Sequence, residues 1–399
     1  MEEFWAGEVL IVGAGAAGLL IASRLAGEGR TVTIVEAEQA GSGQSNHSHG
    51  YMHRGHIYLS PSSDLVSNLR LGADRWASLL NGVVEPVTST SSLVFANAYE
   101  AGVAERAWDL AGLEFQESTA PPSIRGESFA RTFTTQEATY DFTGWLRSAA
   151  TALGRRPEVQ FVVAHVQALE REGSRITGVV IDRGGSQLRL RSSYIVLCAG
   201  IDNLRLASSV TRFRGNGLNR TSMMLVLRGP ELPRLSLVAH GHETRGLFLV
   251  SREHAGSMHW LVSNYVSFAT DHATDTAARL WLRDIRATLL ARTSALADSS
   301  IVWGYYQAPK GELRSMRNTM DKHSVQSYGL ENLCVASPTK LTLAPLLADA
   351  VAQFLSMRLR GSAKPTDLVE LAPDGQPPSV SPEKWLEPDL QPIGSLMAI

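Results

Sequence analysis

The chain has 399 residues, more than one hydrophobic core usually serves, which predicts two interleaved domains. Its 44% apolar and 19% charged residues exclude a disordered chain, and a formal net charge of −2 gives no sign of a nucleic-acid or membrane partner. The two cysteines, Cys198 and Cys334, each lie in an apolar run, so no disulfide framework is expected and a cytoplasmic location follows as the default.

The most apolar run, residues 9–22, is shorter than the roughly 20 residues a membrane helix needs, and it lacks the basic leader of a signal peptide. Its parts have a different logic. EVLIV at 8–12 predicts a buried parallel strand, and GAGAAG follows at once with Gly13, Gly15 and Gly18 in a G-x-G-x-x-G pattern around Ala16 and Ala17. LLIASRLAGEG then has helical spacing, and TVTIVEAE at 31–38 supplies a second strand carrying Glu36 and Ala37 near its end. The first glycine permits a tight turn, the second lets backbone approach a diphosphate, and the third lets helix and strand pack closely. The helix N-terminus faces the phosphate charge, and an acidic residue roughly 20 positions on accepts hydrogen bonds from a ribose. Strand, glycines, helix, strand and glutamate in one unit predict a dinucleotide site.

The next stretch, GQSNHSHGYMHRGHIYL at 43–59, concentrates His47, His49, His53 and His56 beside Arg54. A metal site is one reading, with His47 and His49 completed by His53 or His56, but no Cys or Asp joins them, so no metal is expected.

Beyond Glu36 the chain resembles the flavoprotein superfamily of D-amino-acid oxidase, glycine oxidase and sarcosine oxidase. The loop is similar to that of L-2-hydroxyglutarate dehydrogenases, with Gln44, His47, Gly50, His53, Gly55 and Tyr58 in register with their Q-T-G-H-N-S-G-V-I-H-A-G-L-Y-Y pattern. A looser likeness to sarcosine oxidases points at Arg54. The resemblance implies FAD as cofactor, with this loop beneath the flavin. Gly50 then passes close to a flat ring, Ser45 offers its hydroxyl to the pyrophosphate, and His53 and Arg54 face the substrate. Histidine changes charge near neutral pH, so it suits taking a substrate proton or holding a negative substrate. Some members of the wider family tether the flavin through a histidine, for which His47 and His49 are the candidates.

Residues 60–82 predict a helix, followed by a strand at SSLVFA and a helix at NAYEAGVAERAWDLAGL. A further helix is expected near 139–155, capped by Asp141 or Thr143. Several short strands run from VQFVVA to YIVLCAG; the resemblance implies that Val166 meets the adenine through its backbone and that Ala199–Gly200 approach the cofactor. Residues 211–324 predict one antiparallel sheet and an amphipathic helix at 275–292. SIVWGYYQAPKGELRSMRN at 300–318 takes the place of a family segment that often grips a substrate carboxylate, without its G-x-R-P motif; Lys310, Arg314 and Arg317 are cations nearby, each read in preference as a solvated surface charge. At 329–355 the pattern is strand, turn and helix, with SPTKLT where relatives carry glycines. Lys340, Leu341 and Thr342 thus stand where backbone amides usually meet the flavin, and Lys340 either stabilises negative charge on the reduced ring or points into solvent.

The expected fold class is α/β, a Rossmann-like FAD-binding domain interleaved with an α+β substrate domain built on an antiparallel sheet. Residues 1–60, 150–210 and 325–360 form the first, 61–149 and 211–324 the second, and 361–399 a proline-rich tail that wraps the surface or stays mobile. No second G-x-G-x-x-G follows a strand, so no built-in nicotinamide domain is expected. The expected function is an FAD-dependent oxidoreductase that removes a hydride from a C–H next to nitrogen of a small or natural-product-like substrate, with oxygen or a separate electron acceptor as partner. The alternatives are a 2-hydroxy acid dehydrogenase or oxidase, a flavin monooxygenase, and a non-catalytic protein of the same fold.

Overall fold

The computed structural model describes residues 1–125, 129–211, 217–240, 246–269, 274–313, 323–359, 377–382, 384–386 and 388–397. Arg314 and Arg317 lie outside them. The chain divides into two compact units, one of Met1–Asn46, Phe142–Asn219 and Lys310–Pro382, the other of His47–Asp141, Arg220–Pro309 and Glu383–Ile399. The sequence reading set its boundary at residue 60, whereas here the histidine-rich turn beyond Asn46 belongs to the second unit.

The first unit is built on a six-stranded sheet in the order Val159–Val163, Val32–Glu36, Val9–Val12, Tyr194–Leu197, Leu333–Ser337, Ser324–Gln326. The first five strands are parallel neighbours and only Ser324–Gln326 runs antiparallel. Val9–Val12 and Tyr194–Leu197 are buried at every position, as strands covered on both faces must be, which is why they read as unbroken apolar runs. Helix Ala16–Gly27 packs against helices Phe142–Gly154 and Ala344–Ser356. Thr143, a candidate cap for the second of these, lies inside it, where its hydroxyl donates to Asn46 Oδ1 at 3.5 Å. Asp141 immediately precedes the helix.

A second sheet of this unit has four strands, in the order Glu2–Trp5, Ser186–Arg191, Arg175–Arg183, His165–Glu172. The EEFW strand was not expected from the sequence, because two glutamates open it and it gains its place only by parallel pairing with residues 188–191.

The second unit holds a ten-stranded sheet with helix Asp275–Arg292 over it. The helix begins where Thr274 Oγ1 accepts the Ala277 N–H at 3.3 Å, and it buries Ala278, Trp281, Leu282, Ile285 and Leu289, the single face that helical spacing gives. These meet Leu225, Leu227, Leu249 and Trp260 from the sheet. The sheet is largely antiparallel, but Ser91–Phe95 runs parallel to Ser236–His240. Those two strands are far apart in the chain, so no hairpin dictates their relative direction.

The described residues of the proline-rich tail lie against the rest of the chain. Val380 forms a bridge with Ala40, and Ser381 accepts from Asn46 Nδ2 through its carbonyl at 2.6 Å. Farther on, Gln391–Pro392 pairs with Val302–Trp303, and helix Ile393–Met397 buries Ile393 and Leu396. Two apolar residues about one helical turn apart give this short helix its anchor, too brief a pattern for periodicity to reveal.

Candidate active site

The glycine cradle of the first unit is fixed by close backbone approach. Gly13 has φ +105°, and a Cβ there would stand 2.6 Å from the Cys198 carbonyl oxygen; one on Gly18 would stand 2.0 Å from the Gly13 carbonyl oxygen. Gly15 is the N-cap of helix Ala16–Gly27 and provides no side-chain cap. Ser45 Oγ accepts the Ala16 N–H at 2.9 Å, so the hydroxyl expected at a pyrophosphate stands at the mouth of the helix. Ala17 is half-buried in the same first turn. A helix N-terminus capped by glycine, with no acidic residue in its first turn, can accept a diphosphate beside the Ser45 hydroxyl.

Glu36 is buried at the end of its strand. Its Oε2 accepts the Ala14 N–H at 2.6 Å and its Oε1 the Glu38 N–H at 3.2 Å, while burial raises its proton affinity against those bonds. Remaining lone pairs suit a ribose hydroxyl, and the exposed Ala37 follows. Val166 buries its side chain in the core and its carbonyl accepts from Arg205 Nη2 at 3.3 Å. Gly200 has φ +56° and ends the turn from Ala199 into a short 3-10 helix. Gln44 Oε1 accepts the Gly311 N–H at 3.1 Å and stands 2.8 Å from where a Gly200 Cβ would be, so Gln44, Gly200 and Gly311 are gathered in one place. Thr339 has φ +58° and precedes Lys340; Leu341–Leu343 form a 3-10 turn with Thr342 buried and Leu341 half-buried. A left-handed threonine does here what glycine would otherwise do.

The four histidines of the turn at 47–56, within the second unit, go to different partners. His47 lies beside the Tyr306 ring, with centroids 6.0 Å apart. His49 Nε2 shares a hydrogen bond with Ser263 Oγ at 2.9 Å. His53, 9% exposed, stacks on Tyr51 at 6.1 Å and 17° and meets Tyr58 edge-on at 5.9 Å. His56 Nδ1 faces Glu137 Oε1 at 3.0 Å and its Nε2 faces the Glu114 carbonyl at 3.1 Å. Among the described residues no group of three or more His, Cys, Asp and Glu gathers as a metal site requires. Arg54, expected to face the substrate, pairs through Nη2 with Asp74 at 2.6 Å on an exposed stretch of helix Ser63–Leu80.

Two residues of this unit carry no flag in the sequence. Arg252 is buried and donates to the carbonyls of Ser251 at 2.8 Å, Tyr140 at 2.9 Å and His49. Gly50, at φ +62°, is what lets it in: a Cβ there would stand 2.4 Å from Arg252 Nη2 and 2.0 Å from the Tyr140 carbonyl oxygen. Glu137 is fully buried and gathers donors from the histidine-rich turn. In the sequence Arg252 lies in a strand-like run and Glu137 between two short ones, where neither charge stands out.

A parallel sheet with a glycine cradle and a strand-end acid, and a second unit with a large sheet and a histidine-rich turn, together define a dinucleotide-dependent flavoprotein oxidoreductase fold. The chain belongs to the DAO family of FAD dependent oxidoreductases, whose pattern it matches over residues 8–354. It is 24% identical over 410 residues to the probable FAD-dependent oxidoreductase PA4991 of Pseudomonas aeruginosa, covering 96% of this chain and 98% of that one. The crystal structure of PA4991 superposes with a TM-score of 0.69 at 20% identity, covering 97% and 99% of the two chains. Glycine oxidase from Geobacillus kaustophilus superposes at 0.70 with 17% identity, covering 93% of this chain and 100% of the other. For L-proline dehydrogenase from P. horikoshii the score is 0.72 at 14% identity, with 93% and 96% covered. No helix among the described residues is long and apolar enough to cross a membrane.

Proposed function

We propose that this FAD-dependent oxidoreductase takes a hydride from a carbon next to nitrogen, with a small or natural-product-like amine or amino acid as its substrate. The observation that carries the reading is near-full-length likeness to proteins named for glycine and L-proline oxidation, together with a histidine enclosed by tyrosine rings rather than by free cations. When bound, FAD supplies the hydride acceptor. The backbone of Gly13, Gly15, Ala16, Ala17 and Gly18 would hold its diphosphate, with Glu36 and Ala37 at the ribose and Val166, Ala199, Gly200, Leu341 and Thr342 as further cofactor neighbours. Along the chain from Ser45, residues His47, His49 and Gly50 complete the proposed set. Lys340 is the proposed cation for the reduced ring.

An amine gives up hydride only from its neutral form, so the substrate ammonium must first lose a proton. His53 is the group proposed to take it: an imidazole changes charge near neutral pH, and this ring is held between Tyr51 and Tyr58. Tyr51 and Tyr58 hold the ring and exclude water from it. Arg54 is the second proposed substrate-facing residue, and it must leave Asp74 to act.

The test is anaerobic mixing of purified holoprotein with matched panels of amines, amino acids and 2-hydroxy acids, following loss of the flavin's visible absorbance. Reduction by amines alone is expected. Reduction by hydroxy acids alone, or by NADPH alone, overturns the reading. Oxygen uptake with the active substrate tells whether oxygen or a separate acceptor reoxidises the protein.

A further inference from the structure

Glu137 sits in the short link between strands Arg131–Thr135 and Ala138–Tyr140, fully enclosed. One carboxylate oxygen accepts the backbone N–H groups of Arg54, of Gly55 at 3.1 Å and of His56 at 3.3 Å, together with His56 Nδ1 at 3.0 Å. The other accepts the Tyr51 hydroxyl at 2.5 Å. Ser91 Oγ donates to the Glu137 carbonyl at 2.7 Å and so holds the link itself. Three successive backbone N–H groups closed around one oxygen form an anion-binding turn, and here the anion is supplied by the chain. Gly55, at φ +127°, makes that turn possible. The opposite nitrogen of His56 faces the Glu114 carbonyl, so both ring nitrogens have partners.

A buried ion pair is a weak source of stability, because desolvation offsets most of the attraction. What it supplies is a fixed geometry and a fixed charge. Glu137 reaches His53 by two routes: it locks the turn 54–56 that follows the residue, and it holds the hydroxyl of Tyr51, on whose ring His53 stacks. We propose that Glu137 is a positioning residue for the reaction, fixing the orientation of His53 and favouring its protonated form through its buried negative charge. This rests on the assignment of His53 as the proton acceptor. The attraction is mutual, since the charge of His53 in turn helps to keep the Glu137 carboxyl ionised. Other titratable groups interacting with the carboxylate are His56 and Tyr51 from the turn, His240 from the ten-stranded sheet and Tyr265 from the link between two strands of that sheet. Burial holds His240 neutral, its proton affinity down to about 4, and burial keeps Tyr51 and Tyr265 protonated.

The experiment is a cycle of Glu137→Gln, His53→Ala and the double variant, reading flavin content and the anaerobic flavin-reduction rate against pH. Glu137→Gln keeps the shape and removes the charge. It is expected to retain FAD, to slow reduction about tenfold, and to move the pH dependence set by His53 to lower pH by about one unit. In the His53→Ala background the same change should slow reduction less than about twofold, since a residue acting through His53 has nothing left to act on. An unchanged rate and pH profile, or equal slowing in both backgrounds, overturns the proposal. If His53→Ala itself reduces flavin at the wild-type rate, the assignment of His53 fails; if His53→Ala is slow and Glu137→Gln is not, only the role of Glu137 fails. Should the Gln variant not fold, Tyr51→Phe removes one donor to the carboxylate and runs the same cycle. It must show the same loss of effect in the His53→Ala background, and additive slowing rules the proposal out.

Discussion

Replacing Gly50 by alanine tests whether the histidine-rich turn is held by Arg252. An alanine at φ +62° costs about 1 kcal/mol against glycine. Its Cβ would stand 2.0 Å from the Tyr140 carbonyl oxygen, so the two backbones must part and the bond from Tyr140 N–H to the Gly50 carbonyl, 2.9 Å long, goes with them, at about 1 kcal/mol. The same Cβ displaces Arg252 Nη2, and a buried guanidinium losing its carbonyl partners costs a further ~2 kcal/mol. The expected destabilisation is about 4 kcal/mol, which for a unit of this size lowers the melting temperature by roughly 8–16 °C. Circular dichroism of the holoprotein reads it directly. Gly43→Ala, in the same stretch, is the control: a Cβ there meets nothing within 4 Å, and no change is expected. A Gly50→Ala protein melting within about 2 °C of wild type would show that the turn yields freely and that the Arg252 contacts do not constrain it.

Gly18→Ala pushes a Cβ to 2.0 Å from the Gly13 carbonyl oxygen and must open the cradle. FAD affinity, titrated into apoprotein, is expected to fall at least about tenfold, or ~1.4 kcal/mol, and an unchanged affinity would remove the cradle from the cofactor site. Acid stability follows Glu137. Burial alone would raise its proton affinity, but the His56 hydrogen bond and the neighbouring positive charges outweigh it and hold the carboxyl at about 2. A folded value below the unfolded one means a pH-dependent contribution fully present above about 4.5 and lost as pH falls toward about 2. Urea unfolding at pH 7 and pH 3 should show a smaller loss of stability in Glu137→Gln than in wild type; equal losses refute the assignment. His53→Ala is expected to slow flavin reduction about 100-fold with FAD retained, and stopped-flow reduction at wild-type rate would make that ring a bystander.

What the sequence discloses is whatever repeats locally. The strand–glycine–helix start could be read because each residue answers to a neighbour a few positions away, and helix Asp275–Arg292 because its buried face recurs at helical spacing and Thr274 caps it. The strand Glu2–Trp5 could not, since its only reason to extend is Ser186–Arg191, and charged side chains hide it. Parallel pairing of Ser91–Phe95 with Ser236–His240 is equally silent. Of the site, the histidines could be seen but not their partners. Glu137 lies in TTQEATY, where a carboxylate between two short strands looks like a solvated turn, and only the folded chain brings residues 51–56 onto it. Arg54 shows the reverse: its position in the motif suggested a substrate contact, while Asp74, one helix later, competes for its charge.

The order of strands in the parallel sheet dictates a timetable for synthesis. Val9–Val12 emerges first, yet its neighbour Tyr194–Leu197 arrives well over a hundred residues later, and Leu333–Ser337, which covers the far edge of that neighbour, later still. Until then an unpaired apolar edge is open to other nascent chains, and closing so long a loop is slow. The glycine turn is therefore made before the strands that support it, so a chain cut short of residue 333 would leave that apolar edge open to aggregation.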